Sequence, residues 1–198
     1  MISGDTILIN NKRSIKDLIF LVVASGFFGV LWIVYGMFYN LLDPLLKPLN
    51  LNGLLQGVWY ISGGFCGVII RKRYSALIGE LLPSFIELSL SNWGIYNLIY
   101  GLLQGAIAEL VFNAYGYKNC NVKTMMLANI AATVVGGICD YILYDYAKLS
   151  LPYNFIKIST QVVSTVIFTI LGGLLISKLL KLGYLKQYNI SKVKSWLR

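Results

Sequence analysis

Long apolar runs separated by short polar or basic breaks set the pattern of this chain. They fall at about residues 18–39, 53–70, 74–90, 95–115, 122–144 and 155–180. Most approach the roughly 20 residues that an α-helix needs to cross a bilayer. The pattern predicts an all-α fold: a polytopic membrane protein with a six-transmembrane-helix bundle, forming a single integral membrane domain over residues 1–198. The breaks agree with this. Residues 40–52 hold Pro44 and Pro48 and read as a loop, because paired prolines deny regular helix. Ser91-Asn92-Trp93-Gly94 is a short break, residues 116–123 form a basic loop, and residues 145–154 hold Pro152.

Polar positions inside the apolar runs then single out particular helix faces. In the first run, Ser25 and Gly29 have small-xxx-small spacing, which suits either packing inside the bundle or docking of a partner subunit. The second run brings Gln56, Trp59, Tyr60 and Gly63 onto one face at steps of three and four; Trp59 and Tyr60 there read as interface anchors or as pocket walls. In the third run Glu80 and Glu87 are seven residues apart, which puts both on one face about 10 Å apart along the axis. Pro83 lies between them and is expected to kink the helix. The fourth run carries Asn97, Gly101, Gln104 and Ala108 as a polar and small stripe, with Glu109 turned about 140° from Gln104. Asp140 lies near the far end of the fifth run, and Gln161, Ser164 and Thr165 lie in the sixth.

Composition confirms the solvent. With 57% hydrophobic residues, 13% charged and a mean hydropathy of +0.69, the expected setting is the lipid bilayer, as a multi-pass protein of the cell membrane. The net charge of +9 does not point to nucleic acid, because the basic residues flank the apolar runs. With the N-terminus inside, the inner segments hold 14 Lys and Arg and the outer segments three (Lys47, Lys148, Lys157), so both termini are expected to be cytoplasmic. There is no histidine, and Cys66, Cys120 and Cys139 lack metal-ligand spacing, so neither a metal nor a redox cofactor is expected.

Carboxylates are costly at membrane depth and usually mark a ligand, ion or proton site, or pair with one another to hold helices together. Depth along the runs puts Glu87 and Asp140 in the outer third with Trp59 and Trp93, and Glu80 and Glu109 nearer the inner third. Acids beside indoles, phenols and amides suit a flat cation with hydrogen-bond donors, Trp59 and Trp93 closing over it from opposite sides. A small intramembrane enzyme using Glu80 and Glu109, or a cation carrier or channel, are the alternatives; no H-E-x-x-H or G-x-S-x-G motif supports an enzyme. There is also no G-x-x-x-x-G-K-S/T loop, so ATP hydrolysis is not expected of this chain.

Three blocks carry a family resemblance: R-K-R-Y-S-A-L-I-G-E-L-L-P-S-F-I-E (Arg71 to Glu87), Y-G-L-L-Q-G-A-I-A-E-L-V-F (Tyr100 to Phe112) and C-D-Y-I (Cys139 to Ile142). With the six-span plan, they resemble the YkoE-type substrate-binding (S) component of energy-coupling factor (ECF) transporters, a class associated with thiamine and its hydroxymethylpyrimidine precursor. The resemblance implies a membrane-embedded vitamin-capture subunit that works with a transmembrane coupling subunit and two ATPase subunits. The ligand-binding residues expected for it are Glu87, Asp140, Trp59, Trp93, Gln104, Tyr60 and Asn97, with Glu80 and Glu109 as further candidates.

Overall fold

Each apolar run forms helix, and local polar chemistry sets where it begins. In the computed structural model, which describes residues 13–143 and 145–188, helix α1 spans Ile15–Leu46. Ser14 caps it through a reciprocal pair: its hydroxyl accepts from the Asp17 amide, and the Asp17 carboxylate accepts from the Ser14 amide. Two of the otherwise unpartnered amides at the helix start are satisfied this way. Lys72 Nζ meets the same carboxylate at 2.7 Å and ties α1 to the turn before α3. Lys12, Lys192, Lys194, Arg198 and both chain ends lie outside the described residues.

Helix α1 runs on through Pro44, where the sequence predicts a loop. The proline sits in the last turn, so the ladder loses a bond only where it is ending anyway. At 32 residues α1 is about 48 Å long, more than a perpendicular crossing of a hydrocarbon core of about 30 Å requires. Its apolar residues divide by period rather than by polarity. Leu21, Ala24, Phe28 and Trp32 are buried in the protein, while Val22, Val23, Val30 and Val34 form an exposed lipid-facing stripe.

Ser25 and Gly29 lie on the buried face. A methyl group on Gly29 would come within 2.6 Å of Ile86 Cβ on the third helix. The expectation that this pair docks a partner subunit is therefore not met by its placement, since the missing side chain lets another helix of the same chain approach.

The second run departs most from expectation. Asn52–Tyr60 is a 3-10 helix, and only Ser62–Ile70 (α2) is α-helical. At about 2.0 and 1.5 Å per residue respectively, the two halves reach about 30 Å, enough to cross the core with 19 residues. The cause is contact with the last helix, α6 (Leu151–Lys181): Gly53 and Gly57 press against its backbone at Lys157 and Ser164, where no side chain would fit. Ser164 Oγ accepts from the Gly57 amide at 3.0 Å and donates to the Leu54 carbonyl at 2.6 Å, satisfying backbone groups of the 3-10 segment.

Helices α3 (Ser75–Leu88), α4 (Tyr96–Ala114), α5 (Val122–Leu143) and α6 (Leu151–Lys181) complete the bundle. Pro83 is accommodated inside the continuous α3. Among the described residues there is no strand. Among the described residues, four segments are long and apolar enough to cross a membrane on their own: Ile15–Leu49, Asn52–Ile70, Val122–Leu143 and Leu151–Lys181. The short α3, about 21 Å, packs against α1, α2 and α4, and carries Glu80 and Glu87 inside that packing.

Candidate functional site

Three residues per turn stack Gly53, Gln56 and Trp59 in one row along the 3-10 segment. Gln56 and Trp59 of that row, with Asn52 and Tyr60, form part of the wall of a cavity of about 250 Å³, near the lower end of the range for ligand pockets. Tyr39 and Asp43 from α1, Glu87 from α3, Trp93 from the α3–α4 connection, Asn97 and Gln104 from α4, Asp140 from α5 and Lys157 from α6 complete it. Glu87, Asp140, Trp59, Trp93, Gln104, Tyr60 and Asn97, far apart in sequence, thus line one space.

The aromatic wall is a mutual edge-to-face cluster. Trp59 and Trp93 meet at 90° with ring centroids 5.6 Å apart, and Tyr39 packs edge-on to both, at 5.5 and 5.7 Å. Such contacts add about 0.5–1.5 kcal/mol per pair beyond area burial. The two indoles touch each other, so as they stand they form one wall and cannot flank a ring between them.

The two outer acids have different surroundings. Asp140 is saturated: it accepts from the Tyr100 hydroxyl, from Lys157 Nζ in an ion pair, and from Gln161 Nε2 at 3.1 Å. Lys157 is 3% exposed and lies 3.8 Å from the centre of the Tyr146 ring, in cation–π geometry. Glu87 accepts one hydrogen bond, from Trp59 Nε1 at 2.9 Å, and its other oxygen has no partner among the described residues. Asp43 is held by the Tyr39 hydroxyl at 2.8 Å and Asn52 Nδ2 at 2.9 Å. Counted formally, three carboxylates (Asp43, Glu87, Asp140) against two lysines (Lys47, Lys157) leave the wall with one net negative charge; Asp43 and Glu87 each keep one oxygen without a partner among the described residues, and Glu87 is the one bonded to an indole.

A family model described as the permease component of an ABC-type cobalt transport system matches residues 16–135. The chain belongs to this transport permease family. A protein of Bacillus subtilis (strain 168), provisionally named the HMP/thiamine permease protein YkoE, is 29% identical over 162 residues, which is 81% of this chain and 79% of that protein. A crystal structure of an S-component of an ECF transporter superposes with a TM-score of 0.85 at 27% identity, covering 91% of this chain and 92% of the other. The permease is a multi-pass membrane transport subunit and not an enzyme.

Glu80 and Glu109 of the permease stand outside the cavity wall, each at the N-terminus of another helix. Glu80 accepts from the Ser62 hydroxyl at 2.7 Å and from the Gly63 amide, the first two residues of α2. The Gln104 amide, oriented to satisfy both its ends, donates to Glu80 at 3.3 Å and to the Trp59 carbonyl at 3.2 Å. Glu109 accepts from the amides of Tyr74, Ala76 and Leu77 at the start of α3, and from the Tyr117 hydroxyl. Helix starts present unpartnered N–H groups and a positive dipole end, which a buried carboxylate matches. These placements account for both acids by helix capping, in place of the ligand contact expected for them.

Lys157 and Gln56 reach the wall without having been expected there. A lysine a few residues inside an apolar run, opposite an aspartate at the same depth, carries a signal: charges in membranes pair. Counting it as a flanking charge hides that pairing.

Proposed function

We propose that this chain is the substrate-capture subunit of an ECF-type vitamin transporter of the cell membrane, binding thiamine or hydroxymethylpyrimidine from outside. The observation that carries the reading is Glu87, a carboxylate with a free oxygen that is bonded to one indole and set beside a second, in a wall whose other groups are phenols, amides, a neutralised ion pair, and Asp43 with Lys47. A carboxylate plus aromatic faces attracts a delocalised cation, and amides supply hydrogen bonds to a heterocycle. The name of the Bacillus subtilis relative supports the same substrate class, and the solved S-component structure supports the transporter class. Cobalt, which the family description names, fits this wall less well: the chain has no histidine, and among the described residues no three His, Cys, Asp or Glu side chains cluster as metal ligands.

In this reading the whole chain works as one membrane-embedded unit with both termini cytoplasmic, and transport is driven by a transmembrane coupling subunit and two ATPase subunits. The 14 to 3 distribution of basic residues supports the orientation. A Lys72→Cys variant in intact cells is expected to resist membrane-impermeant thiol reagents added outside; ready labelling would reverse the topology.

Titration of the purified protein with thiamine and with hydroxymethylpyrimidine, without ATP, is expected to give saturable binding of at least one. Native mass spectrometry should also find the ligand co-purified. Binding of neither, with the protein folded, would reject the reading.

A further inference from the structure

Asn97 lies in the first turn of α4, is 8% exposed and lines the cavity. Its side-chain amide makes no hydrogen bond among the described residues, and its Nδ2 is shielded from solvent without a partner. The other buried or half-buried amides of the wall each make at least one hydrogen bond, although Asn52 Oδ1 is also left without a partner. Asn52 donates to Asp43, Gln56 bonds to Tyr39 and Gln161, and Gln104 bonds to Glu80 and Trp59. A buried amide left unpaired costs stability, and the cost does not shrink at membrane depth. Nothing within the described protein repays it, which is the condition expected of a group whose partner is a ligand.

We propose that Asn97 is a specificity-determining residue that reads the amine-bearing edge of a heteroaromatic ring. An asparagine amide offers a donor and an acceptor side by side. That pair binds adenine in two places at once, through the exocyclic amine and the neighbouring ring nitrogen. An aminopyrimidine presents the same edge. Nδ2 is shielded as it stands, so the contact requires a turn of the unpaired Asn97 side chain that sets its donor against the ring nitrogen and its carbonyl against the amine. The proposal rests on the function given above and divides the ligand between residues: Asn97 takes the pyrimidine, and Glu87 faces the cationic half.

The test is calorimetric titration of the wild type, Asn97→Leu and Glu87→Gln with thiamine and with neutral hydroxymethylpyrimidine, alongside the Tm of each protein without ligand. Two neutral hydrogen bonds lost together correspond to a fall in affinity of about tenfold or more. Asn97→Leu is expected to weaken both ligands by the same factor while leaving the ligand-free Tm equal or higher, because an unpaired polar group has been removed. Glu87→Gln should weaken thiamine alone. Unchanged affinities in Asn97→Leu overturn the assignment, and so does a loss confined to thiamine, which would place Asn97 against the cationic half. A drop in ligand-free Tm would make Asn97 a structural residue and also overturn it.

If the leucine variant does not fold, Asn97→Asp keeps the shape but cannot donate to a ring nitrogen. It is expected to weaken hydroxymethylpyrimidine, and unchanged affinity for that ligand overturns the proposal. Wild-type protein that binds neither compound would reject the proposed function and this assignment together; binding by the wild type with an unaffected Asn97 variant rejects this assignment alone.

Discussion

Glu87→Gln is expected to lower affinity for thiamine by about ten- to hundredfold, the effect of losing a charge-assisted contact of about 1.5–3 kcal/mol. The glutamine keeps the length of the side chain, and its carbonyl can still accept from Trp59 Nε1, so the hydrogen bond that holds the indole survives. What changes is the charge of the wall, from one net negative to zero. Hydroxymethylpyrimidine, which is neutral, should bind the variant nearly as well as the wild type. Isothermal titration with the two ligands reads the difference. Equal loss for both would mean that Glu87 shapes the cavity without supplying a counter-charge, and no loss for thiamine would mean that the cation lies elsewhere.

Asp140 is not an equivalent test, although depth along the chain places it beside Glu87. Asp140 and Glu87 look alike as acids in apolar runs, and only the structure distinguishes them, because the distinction lies in their partners. The same holds for Glu80 and Glu109. The sequence shows that each needs compensation at membrane depth, but not that the compensation is the amino end of another helix. Trp59 and Trp93 do reach one cavity from separate elements, yet their direct contact at 5.6 Å depends on the path of the α3–α4 connection, which the break at residues 91–94 does not encode.

The fold was legible where hydropathy alone decides it. The runs at 95–115 and 122–144 correspond closely to α4 (Tyr96–Ala114) and α5 (Val122–Leu143), because apolar length and polar breaks fix both ends. The 3-10 half of the second run was not legible. Its conformation comes from the close approach of Gly53 and Gly57 to α6, a contact with residues about a hundred positions away. The continuation of α1 through Pro44 was missed because a proline reads as a stop without regard to how few hydrogen bonds remain beyond it.

Lys157→Met is expected to be the most damaging single substitution to stability, at about 3–5 kcal/mol, because removal of one member of a buried pair leaves the other charge uncompensated. Asp140 would keep the Tyr100 and Gln161 hydrogen bonds but lose its ion pair in a wall where water has little access. Methionine fills much the same volume under the Tyr146 ring, so the loss would come from charge and not from a cavity. Combining Lys157→Met with Asp140→Asn should then recover most of the stability, since the amide carbonyl can still accept from Gln161 while its NH2 donates to the Tyr100 hydroxyl, and replacing both members of a buried pair is often close to neutral. The double variant also keeps the formal net charge of the wall at one negative, with Glu87 and Asp43 against Lys47, so its affinity for thiamine should stay within a few fold of the wild type. Thermal unfolding in detergent and titration of the same samples read both quantities. A double variant as unstable as Lys157→Met would show that packing of the lysine stem, not the ion pair, holds α5 to α6. A stable double variant that no longer binds thiamine would show that Asp140 or Lys157 contacts the ligand directly, and that Glu87 does not suffice as its counter-charge.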